Sequence, residues 1–148
     1  MKKKLSRQIL RHNARRSAVQ ALYQWHYAQN PLSEMMADFR NENDLSEVDD
    51  EYFQLLVSGV VNEEAAIAET ISKVINRPLL EINPVELAVL RISTYELMSR
   101  LDIPYRVVIN EALNVNKEFG SEQGYKYVNG VLDALAPQLR AIEFAAKK

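Results

Sequence analysis

Apolar positions recur every three to four residues along most of the chain, and no run alternates with the period of two that a half-buried strand requires. The pattern predicts an all-α protein of about six to seven helices. Ser6 is placed to cap a first helix running to about Gln29, where Asn30-Pro31 stops it. Its apolar face reads Ile9, Ala14, Ala18, Ala21, Leu22 and Trp25. A short helix after Ser33 carries Met35, Met36 and Phe39. Asp49 or Asp50 then caps a longer one, with Tyr52, Phe53, Leu55, Leu56 and Val60 on one side, continuing through Ile67, Ile71, Val74 and Ile75. Gly59 inside it costs about 1 kcal/mol relative to alanine, a loss that marks the close approach of another helix.

Arg77-Pro78 closes this part of the chain, and a subdomain boundary falls near residues 76–83, between 1–78 and 79–148. Asn83-Pro84-Val85-Glu86 opens the second half with Asn as N-cap, Pro as first helical residue and Glu as third. That helix buries Ala88, Val89, Ile92, Tyr95 and Leu97. Asp102-Ile103-Pro104-Tyr105 restarts the chain into a helix ending at Phe119-Gly120, with glycine in the left-handed position after the helix. A last major helix spans about Gly124 to Leu135 and halts before Pro137. Asn129-Gly130 has the composition of a hairpin turn, but Val128, Val131, Leu132 and Leu135 keep helical spacing through it.

Composition narrows the chemistry. The 148 residues are 47% apolar, enough for one domain's core. No apolar run approaches the roughly 18 residues of a membrane span, and the start lacks the pattern of a secretory signal, so the expected location is the cytoplasm. With no cysteine there is no disulfide, thiol nucleophile or thiolate metal site. His12 and His26 lack metal-ligand spacing, and no glycine-rich phosphate loop or nucleophile motif is present. Neither a metal, a cofactor nor catalysis is expected. Glu63-Glu64 and the acids of 42–51 read as solvated faces.

Charge changes the picture more. A formal net charge of −2 conceals a separation: the first 33 residues hold seven Lys and Arg and no acid. Residues 34–51 answer with eight acids against Arg40. Arg7, Arg11 and Arg15 step by four along the first helix, and Arg16 lies beside them. Like charges at that spacing repel by about 0.2–0.5 kcal/mol per pair, and no neighbour in sequence offsets them. One reading is a solubilising tail and a solvated face. The other is a polyanion site, favoured by the rings that follow at Tyr23, Trp25 and Tyr27, although Trp25 and one tyrosine suit the core. A second cluster, Phe119, Tyr125 and Tyr127 around FGSEQGYKY with Lys126 between the tyrosines, divides evenly between helix packing and base stacking.

Several segments together resemble the NusB family of bacterial transcription antitermination factors. They are Ala18–Trp25 after the arginine-rich start, Tyr52-Phe53 with Leu56 and Gly59-Val60, and then five blocks in register. The blocks are Glu86–Leu97, Asp102–Tyr105, Val108–Ala112, Lys117–Gly120 and Lys126–Asp133, and the likeness covers about residues 11–137. It implies a two-bundle helical protein without catalysis. With NusE, a small-subunit ribosomal protein, such a protein binds the single-stranded boxA element of nascent ribosomal RNA and helps RNA polymerase read through terminators. Carried over residue by residue, the likeness assigns RNA contacts to Arg7, Arg11, Arg15, Arg16, Phe119, Lys126 and Tyr127, and NusE contacts to Tyr23 and Glu86. Here the arginine run is broken by His12 and Asn13, Lys2–Lys4 precede the helix, and Gln123-Gly124 stand where an acid and a serine are common. The same fold also fronts ribosomal RNA methyltransferases, but no methyl-donor motif is present here. A homodimer hiding the arginine face is the alternative without RNA.

Overall fold

The computed structural model describes residues 4–146. Lys2 and Lys3 of the basic start lie outside the described residues. Among those described there are eight α-helices, one short 3-10 turn at Leu79–Glu81 and no strand. The helices are α1 (Arg7–Ala28), α2 (Leu32–Glu42), α3 (Asp50–Asn62), α4 (Glu64–Ser72), α5 (Pro84–Ser99), α6 (Tyr105–Phe119), α7 (Glu122–Leu139) and α8 (Ala141–Ala146). The expected all-α class stands.

The capping signals work as read. Ser6 Oγ accepts from Ile9 N, Asp49 Oδ1 from Tyr52 N, and Asn83 Oδ1 from Val85 N and Glu86 N, with Pro84 opening α5. Several boundaries move. Helix α2 begins at Leu32 on Pro31, with no side-chain cap, so Ser33 lies inside it. The long helix expected after Asp49 is two helices. Glu63 leaves helical geometry at φ −109°, and the bend turns Ile67 and Ile71 into the core while α4 packs on α5. Helix α7 starts at its Ser121 cap and runs through Pro137 to Leu139. Proline there forfeits one N–H near the helix end, where Leu135, Ala136 and Leu139 still pack inward. Gly120 is extended, at φ −118° and ψ 179°, rather than left-handed. Glycine serves there because a Cβ would come within 3.2 Å of the Asn116 carbonyl oxygen. The left-handed cap falls instead on Gln29, at φ 55°, whose N–H donates to the Trp25 carbonyl.

Helix α5 is the hub. It is buried on every side and packs against α1, α3, α4, α6 and α7. Gly59 brings α3 onto it: a Cβ at that position would fall 2.3 Å from Cζ of Tyr95, so only glycine admits the ring. Burial on α1 begins at Ala14, and Ile9, placed by its spacing on the apolar face, is 47% exposed. The first turns of α1 reach beyond the helices that cover the rest of it.

Candidate nucleic-acid interface

The arginines stepping by four on α1 do not share one environment. A four-residue step advances about 40° around a helix axis, so a row of such steps winds from one face toward another. Arg7 is exposed at the helix start. Arg11 lies half-buried, its guanidinium 4.4 Å from the Tyr52 ring centroid and 3.8 Å from Asp49. Arg15 has turned inside and is only 5% exposed.

The expectation of an exposed, unpaired Arg15 is therefore corrected. Its Nε and Nη2 form a fork with the buried Glu96 carboxylate at 3.0 and 2.8 Å, and Nη1 stands 3.8 Å from Glu111. Tyr52 donates its hydroxyl to the same Glu96. Burial disfavours the charged guanidinium, but the hydrogen bond and charge of Glu96 outweigh it and raise the Arg15 pKa. Burial also raises the Tyr52 hydroxyl, with the Glu96 charge adding to it. The acids that offset Arg15 come from α5 and α6, beyond the reach of local sequence.

His12 occupies the place on α1 between these two regimes. Nδ1 is 2.9 Å from Glu111 and Nε2 is 3.0 Å from Glu118, and only a protonated imidazole donates from both nitrogens. Burial pulls the imidazole toward neutrality, but the hydrogen bonds it donates to Glu118 and Glu111, and their charges, outweigh it, leaving the pKa raised. Its contribution to stability is complete below the unfolded histidine value of about 6.5 and is lost as pH rises through the raised folded value. Urea midpoints should accordingly fall as pH rises above about 6.5, and His12→Gln should flatten that fall. An equal slope in the variant would assign the dependence to other groups.

Beside His12, Arg16 is partly exposed, with Nη1 3.6 Å from the second oxygen of Glu118. Arg16, Gln20, Glu118 and Phe119 share an open polar groove of about 750 Å³ with the 43–48 connection. The structure thus joins Arg16 to Phe119, although more than a hundred positions separate them. Lys126 and Tyr127 belong elsewhere, lining a recess of about 360 Å³ with Val74, Ile75 and Asn76. Tyr127 lies under the Arg77 guanidinium at 4.4 Å, its hydroxyl buried without a hydrogen-bond partner.

Glu86 is half-buried near the same recess. Burial raises its pKa, against the opposing charge of Arg77. A Cβ at Gly124 would sit 2.5 Å from Glu86 Oε2, so the glycine at that turn makes room for the carboxylate. Tyr23 is 39% exposed and Tyr27 65% exposed, packed edge to face at 5.3 Å, whereas Trp25 is core as expected. Sequence reasoning missed Glu111, Glu118 and Arg77. Only the i to i+7 spacing of the two glutamates on one helix hinted that they face together.

Among the described residues no three His, Asp or Glu side chains gather to hold a metal ion, and no helix is long and apolar enough to cross a membrane. Fold and face place the chain among small all-helical proteins whose exposed chemistry is a surface of cations and rings. The chain belongs to the NusB family, whose family model matches residues 12–137. It is 51% identical to the transcription antitermination protein NusB of Pseudomonas savastanoi pv. phaseolicola, over 93% of this chain and 84% of that one. It is 48% identical to the same protein of Coxiella burnetii, over 88% and 94%. Among solved structures it matches T. maritima NusB with a TM-score of 0.79 at 28% identity, covering 98% of this chain and 99% of that one. Antitermination factor NusB, crystallised with NusE and double-stranded RNA, matches at 0.75 and 25% identity, over 86% and 96%.

Proposed function

We propose that this chain is an RNA-binding adaptor of transcription antitermination that acts in the cytoplasm without catalysis. Together with NusE it binds the single-stranded boxA element of nascent ribosomal RNA and joins the RNA polymerase complex that reads through terminators. The observation that carries the reading is the meeting of Arg16 with Phe119 at one polar groove, a cation and a ring where phosphate and base could both be held. Arg7 and Arg11 extend the cationic surface, and Lys126 with Tyr127, a ring under Arg77, forms a second one. Arg15 serves this surface from beneath, fixing α1 against Glu96, and makes no RNA contact of its own. The exposed Tyr23–Tyr27 pair and Glu86 form the side toward NusE. The two bundles, 1–78 and 79–148, act as one binding unit.

Fluorescence anisotropy of labelled boxA-type RNA tests this, with a scrambled strand and a duplex as competitors, and with and without NusE. Tighter, sequence-dependent binding on adding NusE is the expected result. With about four cations on phosphates, the logarithm of affinity should fall with log salt at a slope near about −3. Arg16→Ala should weaken binding while leaving stability nearly unchanged. Equal weak binding to all RNAs, unmoved by NusE, would reduce the surface to a generic polyanion patch. Sedimentation with and without RNA separates the competent monomer from a homodimer that covers α1.

A further inference from the structure

The arginine-rich face meets its own acid before it meets any nucleic acid. Glu118, in the last turn of α6, places one carboxylate oxygen 3.0 Å from His12 Nε2 and the other 3.6 Å from Arg16 Nη1. The carboxylate thus spans two cations one turn apart on α1, as a phosphodiester spans a pair of basic groups with two anionic oxygens. The arrangement opens to solvent: the Glu118 and Arg16 side chains are 37% and 41% exposed, and the groove that begins at this pair continues past Phe119 and Gln20.

The neighbouring carboxylate differs. Glu111, one side of the same imidazole, is buried and also faces Arg15, so it belongs to the frame. Glu118 alone is both engaged with the cationic pair and free to swing away.

We propose that His12 and Arg16 form a phosphodiester-binding position of the RNA path, and that Glu118 occupies it as an internal phosphate substitute until RNA displaces it. This rests on the RNA-binding function proposed above and adds to it a specific site and its guard. An exposed carboxylate pair is weakly held, so a phosphate arriving with neighbouring phosphates already bound displaces it readily, whereas a lone anion does not. The consequence is a threshold: short or isolated anions are turned away, and a continuous strand is admitted.

The test is RNA binding by Glu118→Gln, which keeps the side chain's size and its ability to accept a hydrogen bond. Glu69→Gln on α4, a helix packed on α3 and α5, controls for loss of one negative charge anywhere. Binding is read by anisotropy with boxA-type and scrambled single strands across a salt series. Glu118→Gln should tighten both RNAs by about two- to fivefold at low salt, the scale of one exposed ion pair. The salt slope should change little, because the native chain makes the same phosphate contact once Glu118 has moved aside. Glu69→Gln should not tighten binding. In a His12→Ala, Arg16→Ala background, Glu118→Gln should have no further effect beyond that of Glu69→Gln.

Unchanged or weaker binding by Glu118→Gln, while the native chain binds RNA, overturns the guarded site and leaves the RNA-binding function standing. A gain that persists in the His12→Ala, Arg16→Ala background also overturns it, because the carboxylate would then act through the general field. Failure of native chain and variant alike to bind any RNA overturns the functional reading and this site with it.

Discussion

Replacing Arg15 by alanine is expected to lower stability by about 3–5 kcal/mol, the scale for removing one partner of a buried ion pair. Glu96, 1% exposed, would lose its guanidinium fork and keep only the Tyr52 hydroxyl as a side-chain donor. Glu111 would lose its nearest internal cation apart from His12. The tether joins α1 to α5 across 81 positions of sequence, so the loss falls on the packing between the first helix and the hub. Urea unfolding followed by circular dichroism measures it. Arg15→Met combined with Glu96→Leu should recover most of the loss, because the well-packed apolar pair leaves no charge behind. A loss under about 1 kcal/mol for Arg15→Ala would mean that the pair is solvated and the helix face is assigned wrongly.

A second large effect is expected at Arg140, just past α7. Its guanidinium, 4% exposed, donates to the carbonyls of Glu96, Leu97, Arg100 and Ile103, and Nη1 also meets Glu143 at 2.6 Å. Glu96 and Leu97 lie in the last turn of α5 and Arg100 and Ile103 in the loop beyond it, so one side chain past α7 ties down the end of the hub and the chain that leaves it. Its positive charge also faces the negative end of the α5 dipole. Arg140→Ala should cost about 3 kcal/mol or more, since several buried acceptors lose a charged donor together. Arg140→Lys should rescue little, because a single ammonium cannot reach four carbonyls that a planar fork spans. Thermal and urea unfolding of the two variants settle it, and near-native stability for the lysine variant would refute the fork argument.

The helices were legible because each buries one face against neighbours, and the three- and four-residue spacing records that burial directly. Asn83-Pro84 and Gly59 were legible for a second reason: each is costly or rare in a helix unless a particular geometry demands it. The break at Glu63 was not legible. The backbone keeps hydrogen bonding through it, Glu63 N to Gly59 O and Ile67 N to Glu63 O, and no proline or glycine marks the bend. Pro137 misled in the opposite direction, because packing of the last α7 turn outweighs one missing donor.

The candidate site divides along the same line. Exposure of Arg7 and Arg16, and burial of Trp25, follow from the helix alone. The fate of Arg15 and His12 depends on carboxylates 81 to 106 positions away, which reach them only once α5 and α6 are packed on α1. Gly124, in the first turn of α7, leaves by its missing side chain the space that Glu86 fills, a contact between distant positions that local sequence does not record.

The central position of α5 governs how the protein moves. A helix enclosed by five others can release its amide hydrogens to solvent only when the whole molecule opens, whereas α8, with no buried residue, frays by itself. Both candidate surfaces are carried on helices pinned to that mast, α1 through Arg15 and α7 by direct packing. A ligand therefore meets a preformed cradle: little ordering entropy is lost by the protein on association, and most of the conformational adjustment falls to the partner.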